Sequence, residues 1–210
     1  MRLRYVIPLA VAGLFVTGCG GEKSDTSHAD AKASAPGKVA MTQKLTNPGT
    51  SPSLEPSPSP DNAAPFAEQL AYELQNRTLK MADAPGKTTG QCPKGLSSKK
   101  GTKTTCTTTY EGLKVQWDVT IGDKAAWSVT GDYVSFEATP RAGILTREGV
   151  ARMLFGNFSP EYVLCNNIPK ATFAPLNAQS KYSCETVDKG EKPLGYGTPV
   201  RATENGPRAY

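Results

Sequence analysis

The residues able to do chemistry in this 210-residue chain are few, and five of them are cysteines. Four fall into two local groups, Cys92 with Cys106 and Cys165 with Cys184. Structural zinc wants tight thiolate pairs of the C-x₂₋₄-C kind, and neither group has that spacing. Disulfides fit better. Four cysteines allow three pairings, and locality favours Cys92–Cys106 and Cys165–Cys184, each closing a loop of roughly 15–20 residues and adding about 3 kcal/mol. The one histidine, His28, sits in a Ser/Ala/Lys-rich stretch without a scaffold to hold its ring against a nucleophile. That argues against Ser-His-Asp and Cys-His systems, and against most catalytic zinc sites. No Gly-rich phosphate loop is present, and no cofactor motif. Glu111, Asp118, Asp123, Asp132 and Glu137 remain as carboxylates near strand ends, and surface solvation is their simplest reading.

Cys19 is the fifth cysteine, and its context differs. Arg2 and Arg4 open the chain, Tyr5 to Val16 is apolar, and Val16-Thr17-Gly18 leads into Cys19. That order is a secretory signal. The apolar run is shorter than the roughly 20 residues a membrane-crossing helix needs. The pattern is similar to the bacterial lipoprotein signal, which implies cleavage before Cys19, acylation of its thiol with palmitate-type chains, and residence on the outer face of the cytoplasmic membrane. An oxidising compartment of that kind also suits disulfides.

Charge narrows the partners. The formal net charge is +5, and loss of Arg2 and Arg4 with the leader lowers it. Nucleic-acid binders concentrate far more basic charge on one face, so nucleic acid is not expected. One local excess stands out: Lys87, Lys94, Lys99, Lys100 and Lys103 occur with no acid among them. Lys94, Lys99, Lys100 and Lys103 are candidate contacts for an anionic wall polymer or lipid head groups, against the plainer reading of a solvated loop.

The elements that must position these groups start late. After a signal peptide at 1–18, residues 19–60 are rich in Ser, Pro, Ala, Gly and Lys. Prolines between Pro48 and Pro60 remove amide donors and fix φ, so the stretch reads as a disordered, lipid-anchored tether with a reach of roughly 35 Å. From 61 the pattern changes. Phe66, Leu70, Leu74 and Met81 form a helical stripe ended by Pro85-Gly86. Thr104–Tyr110 is a strand, Glu111-Gly112 a hairpin turn, and Leu113, Val115, Trp117, Val119 and Ile121 alternate with polar residues as a half-buried strand. Gly122-Asp123 reads as another turn, and Trp127–Ala138 as one or two strands.

Helix, cysteine, loop, cysteine and strand then recur. Thr146 suits an N-cap with Glu148 in the first turn, Val150, Met153 and Leu154 form a stripe, and Gly156 or Asn157 suits the C-cap. Tyr182–Val187 reads as a strand, Lys189-Gly190 as a turn, and Tyr196–Thr203, with Pro199, as a final edge strand. The fold class is therefore α+β. Two tandem units, 61–139 and 140–210, are each a helix packed on a small antiparallel sheet with one local disulfide.

Cys92-Pro93-Lys94-Gly95-Leu96, Gly101, Thr105-Cys106-Thr107 and Val134-Ser135-Phe136-Glu137 resemble the domain-of-unknown-function 4333 family of secreted and lipid-anchored actinobacterial proteins. The resemblance implies a fold and a compartment, with no assigned activity. In the second unit Asn166 replaces the expected proline, and Tyr182-Ser183 replaces the glycine-containing approach to the second cysteine. The tandem plan, with Gly143-Ile144-Leu145-Thr146-Arg147, also has an architectural likeness to the secreted β-lactamase inhibitor proteins. Together these features predict a lipid-anchored, non-enzymatic module that binds an envelope protein or polymer. The alternatives are a small envelope hydrolase using acidic residues, an inhibitor-like module, and a structural spacer.

Overall fold

The computed structural model describes residues 40–50, 52–124 and 134–210. Cys19, His28, Trp127, Asp132, the leader and most of the proposed tether lie outside the described residues. The first half contains β1 (Gln43–Leu45), α1 (Phe66–Ala82), β2 (Thr88–Gln91), β3 (Lys103–Tyr110), β4 (Leu113–Lys124) and β5 (Val134–Pro140). The second contains β6 (Gly143–Thr146), α2 (Arg147–Phe158), β7 (Tyr162–Cys165), β8 (Ala171–Ala174), β9 (Ser183–Val187), β10 (Thr198–Arg201) and β11 (Arg208–Ala209). The α+β class holds. No helix among the described residues is long and apolar enough to cross a membrane.

Strands β2 to β5 form an antiparallel sheet in chain order. On β4, Val115, Trp117, Val119 and Ile121 are buried and the residues between them face outward, as their alternation demands. The buried row lies in one core with Leu70, Leu74 and Met81 of α1. Gly90 of β2 has a packing role there: a Cβ would lie 2.5 Å from the Ala71 carbonyl oxygen, so only glycine lets α1 approach this closely. At the β3–β4 turn Glu111 and Gly112 both take positive φ, 47° and 86°, the combination a tight two-residue hairpin requires. The Gly122-Asp123 turn does not form. Strand β4 continues to Lys124, and the pairing with β5 shifts register between Ile121 and Lys124.

A polar relay crosses this core. Trp117 Nε1 donates to Thr108 Oγ1 at 2.9 Å, and Thr108 and Thr78 share a hydroxyl hydrogen bond of 2.8 Å. Thr78 Oγ1 also bonds the Leu74 carbonyl at 2.7 Å. Each buried polar atom is thereby satisfied, and α1 is tied to β3 and β4.

The second sheet runs β1-β7-β9-β10-β11, and β6 pairs with β8 separately. Here two expectations fail. Residues 43–45 are no tether: Gln43 pairs with Cys165 and Leu45 with Val163, and Leu45 is buried in the core beneath α2. Farther along, Leu54 packs on the first core and Pro56 is buried, so this part of the proline-rich stretch lies against the body. β10 is not an edge either, because β11 takes that place through Val200↔Ala209.

The boundary between 139 and 140 separates no two bodies. The described residues all fall in one compact unit. Ile144 belongs to the first core, with Ala171 and Leu176 packed on it. Thr146 completes the join. Its Oγ1 accepts the Gly149 N–H at 2.9 Å as the α2 N-cap and donates to the Ala82 carbonyl at the end of α1 at 2.6 Å. The α2 C-cap is Ser159 in the left-handed conformation, one turn beyond Gly156, because the helix continues through Phe158. Thr146→Ala removes both bonds and should cost roughly 2 kcal/mol in urea unfolding, while Thr146→Ser should keep most of that. Equal stability of the alanine variant and wild type would contradict the join.

Candidate binding surface

Both disulfides form as the local pairs: Cys92–Cys106 ties the residue just after β2 to β3, and Cys165–Cys184 links register partners on β7 and β9. The first fixes the start of the lysine loop against β3. It does not gather the lysines. Lys100 reaches across to Asp123 at 2.8 Å. Lys103 stands on the outer face of β3 opposite Thr120, Lys99 is exposed beside it in the loop, and Lys94 turns toward a cleft at α1. Four exposed side chains at separated places do not make a built anion site.

What the fold does assemble is the outer face of β2–β5. Period two places Thr89 and Gln91, then Lys103, Thr105, Thr107 and Thr109, then Lys114, Gln116, Asp118 and Thr120 on it, with Glu137 and Thr139 beyond. No helix or strand among the described residues packs on this side, since α1 covers the opposite one. Thr89 and Thr109 share a 2.6 Å hydroxyl bond. Arg141 closes the far rim: Nη2 and Nε bond the two Asp118 oxygens at 2.6 and 2.9 Å, and Nη1 bonds Gln116 Oε1 at 2.8 Å. The β-branched threonines, which also favour strand backbone, leave a flat field of hydroxyls and amides with a fixed rim.

Two of these carboxylates are held in their ionised form. Hydrogen bonds from Arg141 hold Asp118 below the ordinary carboxylate range, and a hydrogen bond from Lys170, then the Lys87 amide, does the same to Glu111. Carboxyls kept ionised in this way make poor proton donors near neutrality. Asp83, the left-handed C-cap of α1, is pushed upward by burial, which outweighs the attraction of Arg152 and Arg208. Arg152 serves as its counter-ion at 3.8 Å and as that of Glu148 at 2.6 Å. No group of three or more His, Cys, Asp or Glu side chains among the described residues suits a metal ion.

Two clefts flank the sheet. One of about 560 Å³ lies between α1, Pro58–Pro60 and Gly90–Cys92, with Tyr72, Gln75 and Lys94 on its walls. The other, about 520 Å³, is lined by Lys44, Tyr110, Arg147, Glu148 and Lys170. The Tyr110 hydroxyl there donates to the Ala84 and Pro85 carbonyls, and burial raises its pKa to about 12, which keeps it a donor rather than a base.

Sequence reasoning placed the outward row of β4 but not the surface it belongs to, because β2 and β5 carry little alternation of their own. No family model, curated protein or solved structure matches this chain.

Proposed function

We propose that the protein is a lipid-anchored lipoprotein on the outer face of the bacterial cytoplasmic membrane. It acts there as a non-enzymatic binding module that holds another envelope protein. The uncovered outer face of β2–β5 carries this reading: a rigid, hydrogen-bonding surface with its rim fixed by Arg141. The leader and Cys19 support the anchor, and two disulfides suit an oxidising setting. Recognition of an anionic wall polymer through Lys94, Lys99, Lys100 and Lys103 is the weaker form, since Lys100 is engaged by Asp123 and Lys94 faces elsewhere.

Gln91 and Thr107 are register partners on that face. The paired variant Gln91→Glu, Thr107→Glu places two like charges there and should reduce cross-linked partner recovered from intact cells by about tenfold or more, with little change in melting temperature. A variant with Lys94, Lys99 and Lys100 changed to glutamine should recover the partner normally. Equal recovery by the glutamate pair and wild type would overturn the reading. Cys19→Ala should abolish palmitate labelling and release the protein from the membrane.

A further inference from the structure

The loop at 188–197, between β9 and β10, is held from within and turns its large apolar side chains out. Glu185 of β9 is a buried acid, and its carboxylate accepts the backbone N–H groups of Leu194 and Gly195, the latter at 3.0 Å. Two successive amides converging on one carboxylate are strong, charge-assisted bonds that fix the backbone before any partner arrives. Yet Leu194 is 75% exposed and Tyr196 is 80% exposed, more than any other large hydrophobic among the described residues. A single exposed apolar residue signifies nothing. Here a clasped backbone presents two, one on either side of Gly195. Asp188, Lys189, Glu191 and Lys192 on the same loop cancel in charge.

The position of the loop indicates what covers it. Met41, at the start of the described chain, lies against Gly197: a Cβ built there would meet the Met41 methyl and sit 2.9 Å from Ser183 Cβ. The described chain therefore begins beside this loop. The composition between Cys19 and Met41 reads as a tether, and a flexible chain of that length spans roughly 25 Å, so on that reading an acyl group on Cys19 keeps this end of the body near the bilayer.

We infer that Leu194 and Tyr196 enter the head-group boundary of that bilayer, making the 188–197 loop a second, non-covalent membrane contact that orients the anchored body. The inference rests on the lipid-anchor reading. Tyrosine suits the interface because its ring is apolar and its hydroxyl stays hydrated, and leucine supplies buried area. Lys189 and Lys192 can extend their stems toward phosphates. The Glu185 clasp satisfies two amides that would otherwise lose water on insertion. Because the loop is neutral overall, contact depends on apolar area and not on anionic lipid.

The test uses the full-length acylated protein in phosphatidylcholine vesicles with or without brominated acyl chains. Leu194→Trp should show about twofold or more greater fluorescence quenching by brominated lipid than Phe173→Trp, an exposed control on β8, with or without added phosphatidylglycerol. Acylated protein in which the two tryptophans are quenched alike overturns the loop contact and leaves the anchor standing. A protein adduct, in place of a lipid adduct, from a benzophenone side chain at position 196 in intact cells overturns it as well. Absence of palmitate on Cys19 overturns the anchor reading and this inference together.

Discussion

Replacing Trp117 by alanine is expected to destabilise the protein by about 4 kcal/mol, the largest effect of any single side chain here. Its ring is fully buried at the centre of the first core, so truncation leaves a cavity that α1 and the sheet can close only partly. It also takes the indole donor from Thr108, leaving the Thr108–Thr78 bond to carry the relay. Native domains have only about 5–15 kcal/mol in all, so this variant should be near the limit of folding. Urea unfolding followed by circular dichroism measures the loss. Thr108→Val separates the two contributions. It keeps the ring but strands the indole N–H, and should cost about 1–3 kcal/mol. A loss below about 1 kcal/mol for Trp117→Ala would mean that the core is not organised around this ring.

The second large effect is on the disulfides. Cys92 and Cys106 are 14 residues apart and Cys165 and Cys184 are 19 apart, so each bond closes a loop worth about 3 kcal/mol by chain entropy. Removing either pair as a double serine variant should lower the melting temperature by about 10 °C. Reduction of both should leave most molecules unfolded at 37 °C, since about 6 kcal/mol is a large share of the total. Thermal melts with and without a phosphine reductant measure this. A reduced protein that melts with the oxidised one would show that sheet pairing alone holds these strands.

The elements with strong local periodicity were legible. The stripe from Phe66 to Met81 and the alternation from Leu113 to Ile121 each repeat a burial pattern several times, so chance is a poor explanation, and the structure places both as read. Thr146 was legible as a cap because its hydroxyl acts on the next turn of chain. Its second bond, to Ala82, was not, since nothing local marks a partner 64 positions away. β1 was missed for the same reason. Gln43-Lys44-Leu45 is polar apart from one leucine, and its strand character comes wholly from Cys165, Leu164 and Val163. Repetition of helix, cysteine and strand pointed to two separate units, but a pattern along the chain carries no information about whether Ile144, from the second, joins the core of the first. The outer face of β2–β5 was half visible, as the wet row of β4 without its neighbours. The 188–197 loop read as a turn and the beginning of a strand, and the grip of Glu185 on its amides is a tertiary fact.

The pairing of β1 with β7 has a consequence for how the polypeptide matures. Gln43 exchanges two hydrogen bonds with the backbone of Ile168, 125 positions later. A chain that emerges amino end first exposes Gln43–Leu45 long before Ile168 exists outside the exit pore, so this strand waits unpartnered while α1 and β2–β5 assemble from nearer neighbours. The closing of the second sheet is then the last step. It couples completion of the body to arrival of the carboxyl end, and a nascent molecule interrupted before residue 168 would carry an open strand edge available to other chains.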